Sequence, residues 1–391
     1  MKILIAPGGF KESLSSVQLA RAMQRGVERV LPDARTTLLP LTDGGEGFTQ
    51  ALVESTGGRL FQSVVLGPLG QSVTAQYGIL GDGETGVLEM ASAAGLRLVP
   101  KDCRNPLLTT TYGVGQIILA LLERPHIKRI LIGCGDSGTN DGGVGMAQAL
   151  GARFLDQDGF EIEFGGGALV NLAELDTSNL HPRTGQVEVL AACNIKNILL
   201  GERGVARVFG PQKGATPGMV EILEAGLSNL ALHLQKQQGV EYGSLPGSGA
   251  SGGLGTGLMA FLGARLLSWD EVVGPFLKLE QHLHEADLVI TGEGRVDATT
   301  ATGKVPYWVA QQAMALGKPV LALGGSLGQG SQELHRHGLN WVGSIMPHPA
   351  SLEEAMQHAE DWVADAITQA MRLVVVGQIL AGQGSERFAL R

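Results

Sequence analysis

Lys128–Gly151 reads KRILIGCGDSGTNDGGVGMAQALG, and its changes of texture decide the fold class. Ile130 to Ile132 is an apolar run bounded by glycine, the pattern of a buried strand. Gly133 to Gly143 then spends five of eleven positions on glycine. Val144, Met146, Ala147 and Ala149-Leu150 follow as a short helix, stopped by Gly151. Strand, glycine-rich turn and helix form the start of a βαβ unit, a place to hold phosphate, because glycine lets the backbone approach an anion and helix-start N–H groups point at it. Asp136, Ser137, Thr139, Asn140 and Asp141 crowd this turn. Two carboxylates beside a phosphate need a cation between them, which points to a magnesium-nucleotide site.

The same stretch contains Gly133-x-Gly135-x-x-Gly138, with Asp156 about twenty residues on, the spacing of a dinucleotide fingerprint. In that fingerprint the helix begins inside the glycine run; here Thr139-Asn-Asp-Gly-Gly143 delays it. A plain turn without a ligand leaves two acids and three other polar side chains unexplained.

Working outward, the chain has 391 residues, of which 44% are hydrophobic, enough for two domains with buried cores. Its 58 glycines, about twice average usage, lie between apolar runs and mark tight turns. The net charge is −9 and no basic stripe is present, which argues against nucleic acid as a partner. Cys103, Cys134 and Cys193 show neither CxxC nor metal-site spacing, in keeping with a reducing cytoplasm. The apolar start Ile3-Leu-Ile5 is too short for a signal sequence. No continuous apolar run approaches 18 residues, so no membrane span is expected.

Lys2 to Ala6 reads as a strand and Pro7-Gly-Gly9 as a turn. Ser15 with Gln18 makes a capping box before a helix through Val17, Ala20, Met23, Val27 and Val30. Thr36 to Leu41 is a second strand, ending at Asp43-Gly-Gly-Glu46 before a helix from Phe48 to Ser55. Between Gly58 and Met90 the texture becomes antiparallel, with strands at Phe61–Leu66, Val73–Leu80 and Val87–Met90. Similar texture is expected at Ala152–Leu155, Phe160–Phe164 and Val187–Ala191. A helix is expected from Gln116 to Glu123, after Thr109-Thr-Thr111, and another from Leu258 to Leu267. The last third returns to βαβ texture with strands at Asp287–Ile290, Pro319–Leu323 and Val342–Met346, then one closing helix from Leu352 to Val374. The fold class is thus α/β with two different α/β domains, one Rossmann-like with a mainly parallel sheet and one with more antiparallel strands. The expected boundaries are 1–58 with 255–391 for the Rossmann-like domain, and 59–254 for the inserted one.

FKESLS, TDGGEG, NPLLTTTYG, GTNDGG, GERG, VFGPQKGATP, GGLGTG and ADLVITGEGRVD occur in this order over nearly the whole chain. Together they resemble the type-1 glycerate kinase family. The resemblance implies a two-domain α/β enzyme that phosphorylates D-glycerate with ATP and Mg2+, giving 2-phosphoglycerate. Departures from the family pattern are Gly8-Gly9 for Asp-Ser, Asp136 and Gly138 within the usual Gly-Gly-Ser-Ala, Asn194 for Asp, Ile198 for Pro, and Ala298-Thr-Thr where a Gln is usual. An acid is lost at 8 and gained at 136, which fits either a swap within one site or a different small hydroxy acid as acceptor.

Residue chemistry then suggests roles for phosphoryl transfer, which needs charge neutralisation, in-line positioning and a proton acceptor. Lys11, Arg295 and Lys213 are candidates for phosphate and carboxylate contacts. Asp43, Glu46, Glu293 and Asp297 are candidates for the metal. Asp141 is the candidate general base, with Asn140 holding its geometry. Asp136, Ser137, Thr139 and Gly142 in the first glycine-rich turn, and Gly249, Gly252 and Gly253 in the segment 247–257, would cradle nucleotide phosphates. Thr110 and Thr111 offer hydroxyls to an anion or simply cap a helix. A nicotinamide-dependent oxidoreductase and a non-catalytic sensor of a small acid are the other readings, separated by cofactor titration and by a phosphoryl-transfer assay.

Overall fold

The computed structural model describes residues 1–10, 13–42 and 44–387, with side chains described as far as 381. In chain order the first strands are β1 (Lys2–Ile5), β2 (Arg35–Leu38), β3 (Arg59–Leu66), β4 (Ser72–Ile79) and β5 (Thr85–Glu89). Next come β6 (Arg129–Gly133), β7 (Arg153–Leu155), β8 (Glu174–Asp176), β9 (Glu188–Ala192) and β10 (Arg265–Leu267). The last are β11 (Leu288–Val296), β12 (Val320–Leu327) and β13 (Trp341–Ser344).

The chain divides into two compact units, Met1–Thr42 with Leu277–Arg391, and Asp43–Phe276. The sequence-based boundaries at 58/59 and 254/255 fall inside the second unit. The helix Phe48–Thr56 packs on β3, β4 and β5, and the helix Ala250–Leu262 packs on β9 and β10, so both elements belong to the unit that holds that sheet.

In the first unit all five strands are parallel, in the order β13-β12-β11-β1-β2. The helix Ser16–Glu28 crosses from β1 to β2, closed at its start by the Ser15–Gln18 capping box. It buries Leu19, Met23 and Val27 against Ile3, Ile5 and Ile290 of the sheet. The chain runs from β1 to β2 on one side, while β11 flanks β1 on the other. That junction is the topological switch point, where a parallel sheet opens a crevice beyond its strand ends.

In the second unit six strands are ordered β10-β9-β6-β5-β4-β3. β3, β4 and β5 are antiparallel neighbours, whereas β5, β6, β9 and β10 are parallel. The antiparallel texture read at 187–191 is therefore corrected: β9 is a parallel strand beside β6. Its alternating burial comes from covering on one face, and alternation alone does not reveal direction. β7 and β8 form a separate antiparallel pair. Phe160–Phe164 makes only an isolated bridge at Glu161, because the Asp156 carboxylate accepts from the N–H groups of Asp158 and Phe160 and curls the chain.

Two helix expectations also change. The helix read at 258–267 lies in Ala250–Leu262, whose regular turns follow a left-handed kink at Ser251, Gly252 and Gly253, and Arg265–Leu267 is β10, paired with β9. The closing helix is two helices, Leu352–Gln357 and Ala359–Arg387. Among the described residues, Ala359–Ala381 is the one helical segment long and apolar enough to cross a membrane by length and composition, although no continuous apolar run is that long. Val363, Ala364, Ile367, Ala370 and Met371 on this segment are buried in the core of the first unit.

Candidate active site

The decisive stretch folds as its texture requires. Ile130, Leu131 and Ile132 of β6 are buried between flanking parallel strands, and the chain leaves the sheet at Gly133. Gly135 lets a second loop pass: a Cβ there would lie 2.4 Å from Gly45 Cα, and its N–H donates to Gly44 O at 2.9 Å. Asp136 holds a left-handed φ of 54°, a strained conformation for a residue with a Cβ. Its carboxylate accepts from the Glu46 N–H at 3.0 Å.

Asp141 is buried and accepts four hydrogen bonds. They come from Thr111 N at 2.7 Å, Thr111 Oγ1 at 2.8 Å, Gly143 N at 3.1 Å and Gly145 N at 3.3 Å. Burial pushes its carboxyl above the usual range, and these donors pull it back. Thr111 Oγ1 also accepts from Met146 N at 2.9 Å. The expected base is thus tied through Oδ2 to the threonine segment and to Gly145, and through Oδ1 to Gly143 at the start of the helix Val144–Ala149. Thr110 Oγ1 accepts from Tyr112 N at 3.2 Å, and Thr109 Oγ1 donates to Gly138 O at 2.9 Å.

Lys213 is only 2% exposed and places its ammonium inside the turn. Nζ lies 2.9 Å from Ser137 Oγ, 2.7 Å from Thr139 O and 3.0 Å from Asn140 Oδ1. Burial pushes Lys213 down to about 7, against the opposing pull of the Asp141 carboxylate. Asn140 Nδ2 and Thr139 Oγ1 are buried with no protein partner. Donors left so are expensive unless a water or ligand meets them.

The second glycine-rich segment packs against the first. Gly252, at φ 72°, would put a Cβ 1.9 Å from Thr139 O, and Gly142 N donates to Gly252 O at 3.1 Å. At Gly249 and Gly253 a Cβ would fall 2.0 Å from Ile198 O and 2.8 Å from Gly142 Cα. These three glycines therefore serve backbone-on-backbone packing.

The candidate metal ligands fall in both units. Asp43 lies outside the described residues, as does Lys11. Glu46, in the second unit, forms an exposed ion pair with Arg97. In the first unit, Glu293 on β11 is 9% exposed, accepts from Thr300 Oγ1 and lies 3.4 Å from Lys304 Nζ. Burial pushes the Glu293 carboxyl up, and Thr300 and Lys304 oppose it. Asp297 accepts from Thr299 Oγ1 and N, which hold it below its usual range, and pairs with Arg295 Nε at 2.9 Å. At the switch point of this unit, Gly8 N donates to Gly292 O at 2.8 Å and Thr291 Oγ1 donates to Ala6 O at 2.8 Å. Glu293 thus lies inside β11, three residues past its last register pair with β1, where β11 still pairs with β12. Among the described residues no three His, Cys, Asp or Glu side chains gather into a metal site. Magnesium commonly takes one or two protein carboxylates and completes its shell with phosphates and water, and Glu293 with Asp297 fit that donor set.

Glu89 escaped the sequence reading. It is buried at the end of β5 and accepts from Gly47 N at 3.1 Å and Thr49 N at 3.0 Å, capping the helix Phe48–Thr56 from another strand. The available signal was an acid closing the apolar run Val87-Leu88. Glu89→Ala leaves the buried Thr49 N–H and the half-buried Gly47 N–H unmet and is expected to cost about 2 kcal/mol. That corresponds to a fall in melting temperature of roughly 4–8 °C. An unchanged melting curve would mean that water replaces the carboxylate.

Each of the two α/β units carries polar turns beyond the carboxyl ends of parallel strands, the place where α/β folds hold small ligands. The model of the Glycerate kinase family matches residues 3–375. The chain belongs to the glycerate kinase family. It is 45% identical over 382 residues to the "Glycerate 2-kinase" of Escherichia coli K12, covering 98% of this chain and 100% of that one. It is 47% identical to the "Glycerate kinase" of Bacillus subtilis 168, over 93% of this chain and 95% of the relative. A solved structure from Salmonella typhimurium LT2, bearing the name glycerate kinase 2, superposes with a TM-score of 0.85 at 44% identity. That likeness covers 97% of this chain and 99% of the other.

Proposed function

We propose that this enzyme transfers the γ-phosphoryl group of ATP, held as its magnesium complex, to a hydroxyl of D-glycerate, giving 2-phosphoglycerate. The observation that carries the reading is the end-to-end relation, at 45% identity, to a relative named for the 2-position. Phosphoryl transfer asks the protein mainly for positioning and charge neutralisation. In the first unit, Glu293 and Asp297 would hold the metal, which neutralises charge on the phosphates, while Lys11 and Arg295 would contact substrate anions. In the second unit, the turn from Gly133 to Gly143 would supply N–H and hydroxyl donors. Asp141, buried and held by four donors, supports an organising role better than that of a base. We place the enzyme in the cytoplasm with a small-molecule substrate; its net charge of −9 argues against nucleic acid as a partner.

The test is turnover of D-glycerate with Mg-ATP, with the product resolved by phosphorus NMR. Expected are 2-phosphoglycerate as product and loss of activity in excess chelator. Full turnover with chelator would remove the metal from the reading, and 3-phosphoglycerate would correct the position. Because Gly8-Gly9, Asp136 and Asn194 depart from the family pattern, a panel of small hydroxy acids belongs in the same assay. A better rate with one of them would name a different acceptor.

A further inference from the structure

A phosphoryl transfer to a hydroxyl must dispose of a proton. Asp141, the obvious carboxylate in the turn, is buried and engaged by four donors, three on Oδ2 and one on Oδ1. Lys213 can take a proton, by a simple count. Its Nζ has three partners. Thr139 O is a carbonyl and can only accept. Asn140 Oδ1 is an amide oxygen and can only accept. Ser137 Oγ can accept or donate. An ammonium satisfies the shell with three N–H donors. A neutral amine satisfies it equally, with two N–H donors on the two oxygens and its lone pair facing the Ser137 hydroxyl. Ser137 is the one partner able to change direction, and it is half-buried at the open edge of the turn, whereas Lys213 is buried behind it.

We propose that Ser137 and Lys213 form a two-residue proton relay, in which the acceptor hydroxyl passes its proton to Ser137 Oγ as Ser137 passes its own to Lys213 Nζ. The inference rests on the phosphoryl-transfer reading above. In the step, the acceptor O–H bond breaks and its oxygen bonds to the γ-phosphorus of ATP. The bond from that phosphorus to the β,γ-bridging oxygen breaks, with its electron pair leaving on ADP. The proton rests on Lys213 until released to solvent. Burial supports the assignment by bringing the lysine down to about 7, the region where a base is most effective. The charged groups around it are Asp141, which favours the ammonium, Arg104, whose segment packs on Gly214, and Asp136, next to Ser137 in the turn.

The experiment is the pH profile of kcat for three variants of the whole enzyme, alongside wild type. Wild-type turnover of D-glycerate tests the phosphoryl-transfer reading itself; the profiles, taken relative to it, test the relay. Wild type is expected to gain rate with rising pH through an inflection near 7. Lys213→Met should lose about 10²–10⁴ in kcat, the usual contribution of a base, and lose the inflection. Ser137→Ala should lose at least about tenfold in kcat, with the Michaelis constant for glycerate changed far less. Asn140→Asp places a carboxylate where the amide oxygen stood, 3.0 Å from Nζ. An opposite charge at that range favours the ammonium, so the inflection should move up by about one pH unit or more. Should Lys213→Met fail to fold, the Asn140→Asp profile decides. A flat wild-type profile, an inflection unmoved in Asn140→Asp, or a Lys213→Met enzyme with near-normal kcat would each overturn the relay.

Discussion

Asp141→Asn is expected to lower stability and turnover together. The carboxylate receives four hydrogen bonds in a buried setting, two of them from the N–H groups of Gly143 and Gly145 at a helix start. An amide of the same shape keeps one accepting oxygen and turns an NH2 toward N–H donors. At least one buried donor is then unmet and a charge-assisted set becomes neutral, for a cost of about 3 kcal/mol. The melting temperature should drop by roughly 6–12 °C. Turnover should fall because Asn140 and Gly143 lie in the turn that the carboxylate ties to Thr111. The inflection of the pH–rate profile should survive. A base would behave otherwise, with kcat down steeply, melting unchanged and the inflection gone. That pattern in Asp141→Asn would restore Asp141 as proton acceptor and leave Lys213 a structural cation. Thermal melts and pH profiles on one preparation separate the two.

Gly252→Ala carries the largest expected loss of stability from a single methyl group. Two costs add. A Cβ at φ 72° costs about 1–2 kcal/mol by itself. The same Cβ would sit 1.9 Å from Thr139 O, a backbone atom with no side-chain freedom to retreat. Separating them moves the turn at Thr139–Asn140 or the start of the helix Ala250–Leu262, and the total should reach about 4 kcal/mol, the range of severe core changes. Gly263→Ala is the control. Its φ is 59°, and nothing lies within 4 Å of a Cβ there, so only the conformational term remains, about 1–2 kcal/mol. Chemical denaturation of both variants reads the difference directly. Equal losses would mean that the two glycine-rich segments separate at little cost.

Several parts of this protein were legible in the residues. Ile130–Ile132 followed by five glycines and a short apolar helix could hardly be other than strand, turn and helix, because few backbone conformations admit that glycine density. Ser15 and Gln18 announced a helix start that formed with both reciprocal bonds. The strands at 287–290, 319–323 and 342–346 announced the parallel sheet through short apolar runs ending in polar glycine turns. The ordered motifs pointed to the family that the comparisons show.

Partnerships between residues far apart in the chain were decided only in three dimensions. Alternation at Val187–Ala191 records which face is covered, and strand direction depends on the neighbour, so β9 was read as antiparallel and stands parallel beside β6. Glu89 serves a helix 40 residues earlier, and Lys213 reaches into a turn 76 residues before it. Gly252 is glycine because of Thr139, more than a hundred residues away. Local composition dictates local conformation, since sterics and periodicity act over a few residues. Which buried charge meets which donor follows from topology, and that decided which groups surround Asp141 and Lys213.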